Sequence, residues 1–128
     1  MTLTTKNQLQ IIPESTVHYY HNKNHTADHL DLFCPGTLTV LPGQTVEIDF
    51  GVRVKYNDSE CLLLVSPKPV FYKSSLKQQN GFKNVNDTSV SVKVFNSDPL
   101  NKVIIKKGQV LFQLSPSTPS SFMVTILK

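Results

Sequence analysis

The residues most able to do chemistry fall in two stretches, and the first is a polar loop at residues 80–88. The loop contains Gly81, several amides and one acid, Asp87, and valines follow it at every second position. A glycine-led polar loop before a regular strand is a common place for a catalytic carboxylate or a bound phosphate. This loop is therefore the first candidate site.

The second stretch holds the four histidines of the chain: His18, His21, His25 and His29. Their spacing of three, four and four would align them on one helical face, and histidine is a common metal ligand. Residues 16–20 have strand composition, however, and residues 22–26 have turn composition, which would scatter the side chains. Although Asp28 and Asp31 lie nearby, we expect ordinary surface histidines and no metal site.

The basic residues argue against a nucleic-acid partner. The formal net charge is +4, but Arg53 is the only arginine among 13 basic residues. Arginine is the usual bidentate ligand of phosphates and guanine edges, so we expect solvated surface lysines instead. No apolar stretch approaches the roughly 20 residues of a membrane span, and the N-terminal residues lack an apolar signal core. We therefore expect an intracellular protein that is neither secreted nor membrane-bound.

Alternation with a period of two is the dominant pattern, and it predicts an all-β fold. The clearest strand is 45–56, whose apolar side chains alternate with charged ones. Turn residues separate it from shorter strand candidates at 9–12, 16–20, 30–34, 61–66, 90–95, 102–107, 110–114 and 122–127. We expect a sandwich, jelly roll or small barrel with at most one helical turn, near 74–79. Cys34 and Cys61 lack metal-binding spacing and are expected to be buried free thiols.

The C-terminal residues differ from the rest of the chain. We divide the sequence into a β domain at 1–114 and a terminal segment at 115–128, which begins with a proline-containing hinge. The strand that follows is apolar on both faces, with Phe122, Val124 and Ile126 on one of them. Such a strand needs cover on both sides, so we expect it to be exchanged between subunits of an oligomer.

Taken in order, these strands and turns resemble the trimeric dUTPase superfamily. The positions that match its motifs are Asp31, Pro67, the pair Phe95–Asn96, the pair Lys107–Gly108 and the pair Gln113–Leu114. The resemblance runs from Leu9 to Leu127. It implies a dUTPase-like jelly roll or β-barrel and a homotrimer.

The same resemblance implies that the catalytic groups are missing. In the family, a carboxylate of the third motif orients the water that attacks the α-phosphate, which is a general-base role. That position falls on Asn84 when it is aligned from Gly81, and on Lys83 when it is counted back from the end of the strand. The family's Arg-Ser-Gly reads Lys-Pro-Val at 68–70, its Asp-Arg reads Gln-Val at 109–110, and no glycine-rich fifth motif follows.

A degenerate chain of this kind is similar to the adenoviral early-region proteins derived from dUTPase, whose surfaces bind host signalling proteins. The resemblance implies an inactive viral protein that needs no cofactor and binds host proteins in the cytoplasm or nucleus. The vestigial pocket would contain Asp31, Lys68, Lys83, Asn84, Asp87 and Gln113. Two alternatives stay open: a nucleotide-binding protein or divergent pyrophosphatase that uses Mg²⁺, and a structural trimer of the virion.

Overall fold

The computed structural model describes residues 7–14, 24–58, 61–79, 84–118 and 121–126, with the backbone alone at 24–27. The strands in these ranges are β1 (Asn7–Pro13), β2 (Asn24–Ala27), β3 (Leu30–Phe33), β4 (Leu38–Val40), β5 (Thr45–Tyr56), β6 (Leu63–Pro67), β7 (Leu76–Gln78), β8 (Thr88–Asn96), β9 (Val103–Ile105), β10 (Val110–Pro116) and β11 (Phe122–Ile126). A 3-10 helix at Pro69–Lys73 accompanies them. The expected all-β architecture is confirmed.

The strands form three sheets within the described part of the chain. The largest has the order β2-β11-β1-β5-β8-β7, the second has the order β3-β10-β6, and the third pairs β4 with β9. These sheets do not join into one closed barrel. Apolar side chains from all three meet in a single buried cluster, so the sheets fold as one unit around one core.

Strand β5 has the alternation that its sequence predicts, and Ile48, Phe50, Val52 and Val54 are all buried. Its pairing with β8 shifts register between Asp49 and Arg53. Gly51 lies inside this irregularity with a φ of +72°, a backbone conformation that glycine adopts without a Cβ clash. The Asp49 carboxylate accepts a 2.9 Å hydrogen bond from the Gly51 amide, which holds the bulge in place.

Phenylalanine rings join the 3-10 helix to the core. Phe71 and Phe112 are tilted against each other with centroids 4.9 Å apart, and Phe50 approaches Phe112 edge-on at 6.3 Å. The interpretation of 74–79 as the helical turn is wrong, since β7 occupies 76–78. The turn lies earlier because Pro69 fixes φ at the first helical position and restricts Lys68 to an extended backbone.

Two smaller predictions are also settled. Cys34 and Cys61 are both buried free thiols, as expected, and burial raises the pKa of the Cys34 thiol. The expected turn at residues 22–26 is wrong for Asn24 onward, because β2 pairs there with β11. The strand expected at 16–20 lies outside the described residues. No helix in the described ranges is long and apolar enough to cross a membrane.

Strand β11 lies in the large sheet between β2 and β1. It runs parallel to β1, with Gln8 opposite Met123 and Leu9 opposite Val124. Phe122 and Val124 are fully buried, and Phe122 packs edge-on against Tyr56 at 5.9 Å. In the single chain, β11 thus covers its own β1, and its exchange between subunits stays a prediction.

Candidate functional site

Three polar residues from three neighbouring strands form a row across the middle sheet. Gln113 on β10 is opposite Asp31 on β3 and, on its other side, opposite Ser66 on β6. Residues next to them in sequence, such as Leu32 and Leu114, point into the core. Because side chains alternate along a strand, the polar row lies on the outer face of this sheet.

Lys68 contacts the end of this row. Its Nζ atom donates a 2.7 Å hydrogen bond to Asp31 Oδ1 and forms a salt bridge with it. The two side chains are 26% and 37% exposed respectively, so the pair is only partly screened by water. The Lys68 amide also donates to the Leu111 carbonyl at 2.8 Å, which fixes the lysine beside β10. The Asp31 charge is therefore neutralised within the chain.

His29 places an imidazole ring near Asp31. Its Nε2 atom lies 3.6 Å from Asp31 Oδ1, and its Nδ1 atom lies 2.8 Å from Asp28 Oδ1. The hydrogen bond and the charge of His29 lower the pKa of Asp28. His18, His21 and the His25 side chain lie outside the described residues, which contain no group of three or more metal-ligating side chains.

Asn84 lies at the other edge of β6 and has a structural contact there. It forms an isolated antiparallel bridge with Leu64. Its Oδ1 atom accepts hydrogen bonds from the Leu63 amide at 3.3 Å and from the Asn86 amide at 3.1 Å. The amide side chain thus closes a turn onto β6. Lys83, the other residue aligned with the expected base, lies outside the described residues.

Asp87 belongs to a different part of the molecule. It adopts a left-handed backbone with φ of +62°, and its amide donates to the Val54 carbonyl at 2.7 Å. Its carboxylate pairs with Arg53 at 3.0 Å. These contacts place Asp87 in the turn before β8, beside the large sheet, whereas Asp31 lies in the middle sheet. Asp87 was predicted as a pocket residue, and its observed partner is Arg53.

The structure thus brings together three of the predicted site residues: Asp31, Lys68 and Gln113. Sequence reasoning noted Asp31 near His29 but missed Ser66 as a neighbour of this group. The position of Ser66 could be predicted only from the strand order, because β10 pairs with both β3 and β6 and so puts Ser66 in the same row. A carboxylate, an ammonium group, an amide and a hydroxyl on one face can bind a polar ligand.

No protein-family profile and no curated protein matches this sequence. Solved structures of the dUTPase from Staphylococcus bacteriophage 80alpha do match. One, a mutant with dUpNHpp, aligns with a TM-score of 0.71 at 16% identity, covering 88% of this chain and 85% of the phage chain. The phage dUTPase itself aligns with a TM-score of 0.70 at 17% identity, covering 88% and 90%. The chain has a dUTPase-like fold.

The dUTPase-like fold confirms the order of strands on which the sequence resemblance rested. At 16–18% identity the phage structures establish the architecture of this chain but not the chemistry of its site. The finer similarity to adenoviral early-region proteins stays a prediction. In this dUTPase-like chain, Asp31 and Gln113 come from the segments that resemble the first and fourth motifs, and they are opposite each other in register.

Proposed function

We propose that this dUTPase-like chain does not hydrolyse nucleotides and acts as a viral interaction module that binds host proteins. The observation that carries the proposal is the salt bridge between Asp31 and Lys68, with a separation of 2.7 Å. The Lys68 ammonium group occupies Asp31 Oδ1 and offsets the charge of the carboxylate, which weakens the attraction of this carboxylate for a metal ion. The remaining first-motif acid is therefore poorly suited to catalysis.

The position aligned with the general base supports the same conclusion. An amide such as Asn84 does not take a proton from water near neutral pH. A protonated lysine such as Lys83 has no free lone pair with which to accept one. The Oδ1 atom of Asn84 is also engaged by two backbone amides. Asp87, the nearest acid in sequence, pairs with Arg53. No substitute base is evident among the described residues of this loop.

The phage comparison supports a regulatory role for the fold. Phage dUTPases are described as controlling transfer of virulence genes by a proto-oncogenic G protein-like mechanism. A second description concerns the link between enzymatic activity and SaPI-inducing capacity of the phage dUTPase. Proteins with this architecture thus act in regulation as well as in nucleotide hydrolysis. We infer that the present chain retains only the regulatory kind of role, as a homotrimer in the host cytoplasm or nucleus.

Measurement of pyrophosphate release from dUTP and Mg²⁺ by the purified protein tests the proposal. We expect no release above the level of a reaction without protein. The matched control is Asp31→Asn, which keeps the size of the side chain and removes its charge. Release that this variant abolishes would contradict the proposal, because the activity would then come from this site.

A second candidate function is nucleotide binding without rapid hydrolysis. The polar row of Asp31, Gln113 and Ser66, with Lys68 beside it, favours this alternative. A nucleotide that binds the folded state would raise the melting temperature. An increase with dUMP or dUTP that Gln113→Ala removes would support the alternative. A flat response across nucleotides would exclude it.

A further inference from the structure

The outer face of the two-stranded β4–β9 sheet has no role in the site described above. Val40 pairs with Val103 and Leu38 with Ile105, and these side chains point toward the core. Thr39 and Ile104 are opposite each other in the same register, and both are exposed. The side chains of the intervening positions therefore form an outward face.

Alternation extends this face beyond the paired residues. Leu41 follows Thr39 by two positions and is 52% exposed, and Ile104 is 48% exposed. Diagonal neighbours on adjacent strands lie about 7–8 Å apart, within contact range of long side chains. Leu41 and Ile104 thus form the start of one apolar surface on this sheet.

Leu100 lies in a firmly held loop that precedes β9. Asn96 donates hydrogen bonds from one Nδ2 atom to the Val40 carbonyl at 3.0 Å and to the Asn101 carbonyl at 2.9 Å. This shared donor holds the segment before Leu41 close to the segment after Leu100. The Asp98 carboxylate accepts a 2.8 Å hydrogen bond from the Leu100 amide. Leu100 is 84% exposed although its backbone is fixed.

Lysines flank the apolar centre of this face. Lys102 immediately precedes β9 and Lys106 immediately follows it, so each lies two residues from Ile104, and both are exposed. Neither forms an ion pair in the part of the chain that the structure describes. The face therefore has an apolar centre between two lysines that form no ion pair among the described residues.

We propose that this β4–β9 face binds an extended acidic segment of a partner protein, in which two carboxylates flank an aliphatic residue at alternate positions. Lys102 and Lys106 flank the three residues of β9, and four residues of extended backbone span about 13 Å. An extended segment with the pattern acidic-x-aliphatic-x-acidic has the same spacing. Its aliphatic side chain would contact Ile104 while its carboxylates pair with the two lysines.

Other occupants fit less well. A second copy of the same face would bring lysines against lysines, which is repulsive. Nucleic acid would leave the exposed leucine and isoleucine side chains without partners, and the one arginine, Arg53, lies on another sheet. Charge complementarity therefore selects an acidic protein segment. This inference rests on the proposed role as an interaction module and specifies its surface and the chemistry of its partner.

An NMR titration of the nitrogen-15-labelled full-length protein tests this inference. The probe is a short synthetic peptide with Glu-Thr-Leu-Thr-Glu at its centre. We expect saturable amide shift changes confined to residues 38–41 and 100–106, with binding that weakens as salt increases. Ile104→Glu should weaken binding by about tenfold. Leu62→Glu replaces an equally exposed leucine outside this face and should have no effect.

Three results would overturn the inference. The first is shift changes that are absent or lie elsewhere. The second is equal binding of a peptide with both glutamates replaced by glutamine. The third is a change of oligomeric state of Ile104→Glu in sedimentation, which would make the face an interface between copies. Pyrophosphate release is measured separately, so failure of the non-catalytic proposal is distinguishable from failure of this one.

Discussion

At the residue scale, the contacts of individual polar side chains decide what the candidate site can do. Asp31 and Lys68 are 37 residues apart in sequence but form a salt bridge. Resemblance to known motifs identified both positions, yet only the pairing of β3, β10 and β6 brings them together. Asp87 was also identified from the sequence, but the fold does not bring it to Asp31. Its partner is Arg53, on a strand for which the sequence indicated no functional role.

Asn96 is the clearest residue on which stability depends. It is fully buried, its Nδ2 atom donates to two carbonyls, and its Oδ1 atom accepts from the Ser75 hydroxyl at 2.7 Å and from the Asp98 amide at 3.0 Å. Asn96→Leu would leave these groups unsatisfied. We expect a loss of about 3 kcal/mol in the free energy of unfolding, measured by urea denaturation. A loss below about 1 kcal/mol would contradict this assignment.

Asp98 provides a prediction about pH. The amides of Leu100 and Asn101 donate hydrogen bonds to its carboxylate and lower its pKa from the usual 3.8. A lowered folded pKa means that the stabilisation is present above pH 3.8 and is lost as the pH falls through the folded value.

The amide proton shifts of Leu100 and Asn101, followed by NMR, should titrate together with a midpoint below 3.8. In Asp98→Asn this titration should disappear. A midpoint at or above 3.8 would show that the carboxylate is not held by these amides.

At the element scale, the sequence predicts the long strands well, whereas short strands are predicted only where apolar residues cluster, as in β3 and β9. Strands β5 and β8 extend over 12 and 9 residues, enough for alternation to be recognised. Strands β4 and β7 have three residues each and show no usable period. They were missed because their sequences, Leu-Thr-Val and Leu-Lys-Gln, also lack the apolar run that marked the equally short β9. The helical turn was misplaced because Pro69 determines where it begins.

The importance of the bulge in β5 can be tested by substituting Gly51, with a substitution of Gly36 as the control. Gly51 has a φ of +72°, whereas Gly36 lies outside the left-handed region and an added Cβ there would meet nothing within 4 Å. Gly51→Ala should lower the free energy of unfolding by about 1–2 kcal/mol because of the left-handed backbone. Gly36→Ala should be neutral or slightly stabilising. Equal effects in chemical denaturation would refute this explanation.

At the scale of the whole molecule, the main question is how copies of the chain assemble. In the single chain, β11 covers β1, and the same pairing between neighbours would produce the predicted exchanged trimer. Gln8 and Met123 are opposite each other in this pairing. They allow cis and exchanged arrangements to be distinguished.

Gln8→Cys and Met123→Cys should be introduced into separate copies, which are then co-expressed and treated with a short thiol cross-linker. Exchange predicts a covalent dimer on a denaturing gel. The single-chain double variant is the control, since it forms an intrachain link only if β11 stays on its own chain. A trimer that gives the intrachain link and no dimer would contradict the exchange.

We propose that this dUTPase-like chain does not hydrolyse dUTP, and a single-turnover reaction tests this most directly. The protein is placed in excess over labelled dUTP with Mg²⁺, so that slow product release does not mask chemistry. We expect dUTP to stay intact for the whole incubation. The proposal would be contradicted if the wild-type chain converted dUTP to dUMP and pyrophosphate and the Asp31→Asn variant did not.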